Sequence, residues 1–224
     1  MRRLIVNADD LGASTGINRG ILEAHVRGIV TSASLLVDGA AAEEAADLAR
    51  ANDQLSVGLH WNGDAVDLDE AEAVRVEVTR QLARFEELLG GPPTHVDSHH
   101  HAHRDDRVIG PFLEIVSPLG VPVRGEDEVE VIGGFYAQWE PGVTNLEYVS
   151  VGFLERLLRE EVRAPWTELS CHPGYSSPGF DSAYSDEREA EVRTLTDPRL
   201  PVLLSELGIE LASYRDVGRV RPRG

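Results

Sequence analysis

Lysine is absent. All 21 basic residues of the 224-residue chain are arginine, set against 39 acidic ones, for a formal net charge of −18. Without lysine there is no Schiff-base chemistry and no Walker-type phosphate lysine. The acidic balance argues against nucleic acid as a partner, because such binders gain affinity from cationic patches. Cysteine is nearly absent too. The lone Cys171 excludes an internal disulfide and agrees with a reducing compartment. No apolar stretch approaches the roughly 20 residues that span a bilayer. The run Leu4-Ile5-Val6 after Arg2-Arg3 is too short for a secretory h-region. The expected protein is therefore cytoplasmic, bound to neither membrane nor nucleic acid.

What is present describes an ordinary globular core. Hydrophobic residues make up 42% and charged residues 27% of the chain, so one domain over residues 1–224 is expected. Short β-rich runs alternate with helical patterns. Strands are predicted at Leu4–Val6, Ser32–Val37, Leu55–Leu59, the histidine cluster, Val121–Val123, Thr167–Cys171 and Ile209–Ala212. Pro122 weakens the fifth. Helices are predicted over Gly16–Arg27, Ala40–Ala51, Asp69–Leu89, Arg107–Leu119, Leu146–Glu161, Asp186–Leu195 and Pro198–Leu207. A glycine-rich loop (Gly133-Gly134, Pro141-Gly142) precedes the fifth helix. Such alternation gives an α/β fold of about seven parallel strands, read as a distorted or incomplete (β/α) barrel, with an open doubly wound sheet as the alternative.

Five of the eight histidines fall in the nine residues from His95 to His103. Neutral imidazole is a common ligand of divalent metals. If the cluster continues as a strand, His95, Asp97, His99, His101 and His103 share one face, and His100 points away. Asp97 then stands where a carboxylate can orient a ligating ring. The competing reading is a solvated histidine-rich loop.

Other polar residues gather where strands are predicted to end: Asp9-Asp10, His60, Asp97 and His99, Arg124, and His172. In parallel α/β folds these ends converge on one mouth. Adjacent carboxylates in an extended segment point different ways, so one of Asp9 and Asp10 can ligate a metal while the other serves as base. Alone, the pair could equally be a helix cap. Arg124, beside Glu126 and Asp127, could be a surface ion pair, and Cys171 reads as a buried, inert thiol. One carboxylate with two imidazoles leaves coordination positions open, as a catalytic metal requires. The chemistry that follows is hydrolysis of an amide or ester without a covalent intermediate.

Asn7-Ala8-Asp9-Asp10-Leu11-Gly12, Gly28-Ile29-Val30-Thr31-Ser32, Gly58-Leu59-His60, the block from Thr94 to His103, and His172-Pro173-Gly174 occur in that order. Together they resemble the YdjC-like carbohydrate deacetylases, the group that includes chitooligosaccharide deacetylase. The likeness extends through Tyr184 to the closing Ala212-Ser213-Tyr214-Arg215-Asp216. It implies a distorted barrel related to the polysaccharide deacetylases, and removal of N-acetyl groups from amino sugars with one divalent ion, zinc or magnesium. Carried over by position, it implies Asp10, His60 and His99 as metal ligands. Asp9 becomes the base that activates water, and His172 the acid that protonates the departing amine. Arg124 would steer the base or the substrate. His101 and His103 would support the ligands or face the substrate. A small carbohydrate and a second copy of the chain are the implied partners.

One departure stands out. Trp61-Asn62-Gly63-Asp64 leads quickly into a helix, where the family carries a longer segment that helps roof the substrate. Phe135, Tyr136 and Trp139, within the loop from Glu126 to Asn145, are candidate sugar-stacking aromatics in its place. The rival functions are hydrolysis of another bond, such as a phosphoester, and metal or sugar binding without turnover.

Overall fold

The computed structural model describes residues 1–140 and 142–218. Pro141 of the predicted loop and the end of the predicted domain, residues 219–224, lie outside them. The strands are β1 (Arg2–Leu11), β2 (Ser32–Leu35), β3 (Ser56–Trp61), β4 (Val96–Ser98), β5 (Glu130–Ile132), β6 (Trp166–Cys171) and β7 (Ile209–Ala212). The helices are α1 (Thr15–Arg27), α2 (Ala42–Ala51), α3 (Ala71–Leu89), α4 (Ile109–Val116), α5 (Val151–Glu160), α6 (Ser185–Leu195) and α7 (Leu200–Leu207).

All strand pairs are parallel, in the order β4-β3-β2-β1-β6-β5, with β7 added to β1. The sheet curls into a half-barrel. One stretch of chain links its two edges, for Val123 bridges to Val96 of β4 and Glu130 begins the pairing with β6. This curl, rather than an open doubly wound sheet, brings side chains of β1, β4 and β6 to a common axis.

The fifth strand assignment changes. Val121–Val123 makes only the single Val96 bridge, because Pro122 has no N–H to donate. The true β5 lies later, in a short half-exposed run that alternation does not reveal. The predicted helix Leu146–Glu161 is also broken. Ser150 is extended and caps α5 by accepting from the Phe153 amide, so only Leu146–Val149 forms a 3-10 turn before it. Ser14 caps α1 in the same way.

Strand alternation sorts the sheet into an outer and an inner face. Leu4, Val6 and Ala8 pack outward into the main core beneath the helices. Ile5 points inward to a small apolar plug with Val129, Trp166, Ala212 and Tyr214. Above the plug the interior turns polar: Asn7, Ser34, Asp97 and Glu168 are all buried. His95 fills part of this layer, stacked on Tyr214 at 3.9 Å. It fits only because β3 places Gly58 beside it, where a Cβ would lie 2.4 Å from the ring.

Gly58→Ala should therefore destabilise the protein by about 1–3 kcal/mol through overpacking, measured by urea denaturation. Adding His95→Ala, which vacates that space, should cost less than the two single changes summed. Strict additivity would show that the contact does not limit packing.

Candidate metal and catalytic site

A bulge creates the carboxylate pair. The register of β1 against β2 shifts between Ala8 and Leu11, and Asp10 adopts a left-handed backbone with φ 68°. A regular strand would send neighbouring side chains to opposite faces. The bulge re-aims one of them, and both carboxylates end buried at the same mouth. At the end of β3, His60 stands opposite Asp97 of β4, while Trp61 packs against Phe112 at 5.5 Å.

The histidine cluster does not share one face. β4 ends at Ser98, and residues His99–Arg104 wind into a 3-10 turn with His100 and His101 left-handed at φ 53° and 54°. Three of the five rings still reach the mouth: His99, His100 and His101 line the cleft. His100, expected to face away, lies against the His99 ring with centroids 3.9 Å apart. His95 and His103 are fully buried. His103 pins the backbone around it. Its Nε2–H donates to the Arg124 carbonyl at 3.0 Å, and its Nδ1 meets Ser98 Oγ at 2.5 Å.

Asp10, His60 and His99 converge. Asp10 Oδ1 lies 3.4 Å from His60 Nε2 and 3.3 Å from His99 Nδ1, and the two ring nitrogens are 3.4 Å apart. Asp10 Oδ1 is buried without a hydrogen-bond partner. Ligands at the roughly 2.1 Å bond lengths of zinc sites stand about 3.4 Å apart along a tetrahedral edge, so this donor set fits a divalent cation. His60 Nδ1 donates to Asp97 Oδ1 at 2.6 Å, which turns Nε2 toward the other two donors. Burial alone would depress His60. The charge of Asp97, its hydrogen bond to the ring and the nearby Asp10 carboxylate instead raise its pKa to about 10, and a cation would replace the proton so held.

Asp9, His60 and Asp97 also lie within common reach, but a guanidinium fills that space. Arg124 is 0% exposed, not a surface partner of Glu126 and Asp127. Its Nη2 lies 2.6 Å from Asp9, 2.7 Å from Asp97 and 2.7 Å from Glu168, and its Nη1 donates to Asp9 Oδ2 at 2.8 Å. Against the cost of burial, Arg124 holds Asp9 well below the usual carboxylate range. At the end of β6, His172 Nε2 stands 3.9 Å from Asp9 Oδ2, and burial lowers its pKa to about 4. Cys171 is buried and donates to the Asn7 carbonyl, and desolvation raises its thiol pKa, so it is as inert as expected.

Sequence inspection missed several members. Arg188 of α6 donates to Asp10 Oδ2 at 2.5 Å and to the His172 carbonyl at 3.2 Å. Its neighbours Asp186, Glu187 and Glu189 make it read as part of a solvated helix. Glu191 accepts from the His172 amide at 2.5 Å and the Tyr184 hydroxyl at 2.8 Å. Glu168 did leave a trace: a charge in the middle of a buried strand needs a buried partner. The cleft above these groups has a volume of about 770 Å³, with aromatic walls from Phe135, Tyr136, Trp139 and Tyr184.

The model of the YdjC-like protein family matches residues 3–67 and 63–206. This chain belongs to the YdjC-like family. The two matched stretches meet at the short connection after His60. Among YdjC-like relatives, the carbohydrate deacetylase of Clostridium beijerinckii is 31% identical across 96% of this chain and 100% of its own. The chitooligosaccharide deacetylase of Serratia marcescens is 33% identical across 96% of this chain and 98% of its own. A crystal structure of an Enterococcus faecalis V583 protein, provisionally assigned to cellobiose-phosphate cleavage, superposes with a TM-score of 0.79 at 25% identity. It covers 96% of this chain and 98% of that one. A family 4 carbohydrate esterase from Streptomyces lividans shares the fold more distantly, with a TM-score of 0.59 at 13% identity over 94% of this chain and 92% of its own.

Two consequences can be measured on this YdjC-like chain. Arg124→Met leaves buried carboxylates unpaired and should cost about 3–5 kcal/mol. Arg124→Lys should recover only part of that, because an ammonium cannot fork between three carboxylates. Full recovery in urea denaturation would show that charge alone suffices. Burial raises the Glu191 carboxyl from 4.5 to about 8, so the folded chain holds its proton more tightly than the unfolded chain does. The Glu191 contribution to stability should then be lost as pH rises from 4.5 to 8, and Glu191→Gln should remove that component of the slope, to which the depressed His172 adds in the opposite sense. An unaltered slope would assign it to other groups.

Proposed function

We propose that this protein is a metal-dependent carbohydrate deacetylase that removes N-acetyl groups from an amino sugar or a short oligosaccharide. The observation that carries the proposal is the convergence of Asp10, His60 and His99 on one point at the floor of an open cleft, with Asp9 and His172 beside it. The names of the relatives, carbohydrate deacetylase and chitooligosaccharide deacetylase, support the same reaction class. We assign one divalent ion to Asp10, His60 and His99; such a set accepts zinc, magnesium and others. When bound, that ion polarises a carbonyl oxygen and lowers the pKa of water.

The chain's own residues manage the proton. Arg124 and Ser170 orient the Asp9 carboxylate, and Arg124 keeps it ionised. Asp9 takes the proton of the attacking water. So depressed a carboxyl holds a proton weakly and passes it on. His172 rests neutral, and across the 3.9 Å gap its Nε2 can receive that proton and deliver it to the departing nitrogen. One proton thus travels from water through Asp9 and His172 to the sugar amine, and acetate leaves as the other product. Asp97 keeps His60 in the ligating tautomer, and Arg188 occupies the second oxygen of Asp10. The cytoplasm remains the compartment we propose, on the strength of the free, buried Cys171.

Purified protein should release acetate from N,N'-diacetylchitobiose and leave phosphomonoesters intact. Asp9→Asn should lower kcat at least about 10²-fold, the scale of a lost general base, while elemental analysis still finds the ion. His60→Ala and His99→Ala should instead lose it. Normal turnover by Asp9→Asn would remove the base assignment, and full metal occupancy in both histidine variants would remove the ligand set.

A further inference from the structure

The imidazole of His172, the proposed proton donor, is not held by its own nitrogens. Its Nδ1 is buried without a hydrogen-bond partner among the described residues, and its Nε2 stands 3.9 Å from Asp9 Oδ2. A carboxylate on the far nitrogen is a common way to orient a working imidazole, and it also makes the ring more basic. This ring must be fixed by other means.

Helix α6 supplies them through the main chain. The Glu191 carboxyl accepts from the His172 amide at 2.5 Å, and Arg188 donates to the His172 carbonyl at 3.2 Å. The Gly174 amide donates to the Arg188 carbonyl at 3.2 Å, and Pro173 between them has no N–H to place. On the other side Gly174 lies against α1, where a Cβ on Gly20 would come within 2.5 Å of its Cα. The peptide that carries the donor is thus clamped between two helices.

Glu191 is itself braced. The Tyr184 hydroxyl donates to it at 2.8 Å and accepts from the Ala137 amide at 2.9 Å. The Tyr184 ring meets that of His172 edge-on at 5.9 Å, and Tyr136, stacked on Tyr184 at 4.8 Å, meets it at 5.7 Å. Glu191 is fully buried. A carboxyl is an expensive group to bury, and a role in packing alone would be met better by an apolar side chain.

We propose that Glu191, braced by Tyr184, is a positioning residue for the proton donor: it grips His172 by its main chain, so that Nε2 faces Asp9 while Nδ1 stays free of any carboxylate. The grip fixes the ring without making it more basic. A weakly basic imidazole gives up its proton readily to a departing amine. This role rests on the deacetylase reading above.

A clamp that acts through the donor matters only where the leaving group needs a proton. Glu191→Ala should lower kcat on N,N'-diacetylchitobiose about 10²-fold, the scale of a misplaced catalytic group, with KM little changed. It should lower hydrolysis of p-nitrophenyl acetate, whose phenolate leaves without a proton, by no more than about threefold. Glu191→Gln keeps an acceptor for the amide and should recover most of the loss. His172→Ala has already lost the donor, so adding Glu191→Ala to it should cost no further turnover. Tyr184→Phe keeps the ring contacts and removes the hydroxyl; it should show the same split more weakly, and it serves if Glu191→Ala does not fold. Equal losses on both acetyl compounds, or additive losses in the double variant, overturn the positioning role. A crystal structure of Glu191→Ala should also show His172 Nε2 farther than 3.9 Å from Asp9 Oδ2, and one of Glu191→Gln should not. An unmoved ring overturns the clamp without any assay of turnover. A displaced ring, in a protein whose unaltered form releases no acetate from the sugar, leaves the clamp standing and defeats the deacetylase reading instead.

Discussion

The barrel closes around one buried cation. Arg124 arrives on the chain segment that joins the two edges of the sheet and meets Asp9 of β1, Asp97 of β4 and Glu168 of β6. Each carboxylate would cost several kcal/mol to bury alone. Together they are tolerable because a planar guanidinium offers donors in several directions at once, which an ammonium does not. The same contacts ionise Asp9, fix its orientation and keep a metal out of the inner carboxylate cluster. Packing, electrostatics and the placement of the proposed base are therefore one problem with one solution.

A second constraint is backbone strain. Among the described residues, the non-glycine positions with positive φ are Asp10, His100 and His101, and all three line the cleft. Such conformations cost on the order of 1–3 kcal/mol each and persist only where the surroundings over-determine them. Here the surroundings are visible. The β1 bulge and Arg188 hold Asp10, and the buried His103, bound to Ser98 and the Arg124 carbonyl, anchors the turn that carries the other two. The fold bears the strain where it aims the candidate ligand Asp10 and two rim imidazoles into the cleft.

The histidine motif shows how far inspection of a sequence reaches. Its density coincides with the mouth of the cleft. Its assumed strand geometry would have set five side chains on one face, and the structure divides them among three duties. His99 joins the donor set. His100 and His101 form the rim. His95 and His103 are buried supports. Strand periodicity failed because β4 lasts only three residues, and no local pattern announces a left-handed turn made of histidines. Arg188 and Glu191 were illegible for a related reason: a helix rich in charge reads as solvated, and only packing against β1 and the His172 loop reveals a buried face.

Local chemistry and periodicity were enough to specify the alternation of strands and helices, the parallel barrel-like class and the cluster Asp9, Asp10, His60, His99 and His172, because each depends on neighbours in the chain. Tertiary structure alone decided that Arg124 is the buried hub, that the β1 bulge turns two adjacent carboxylates to one mouth, and that Asp97 serves His60 on the next strand. Those outcomes depend on register and curl. Both are set by contacts between residues far apart in sequence, which compete for the same small polar interior.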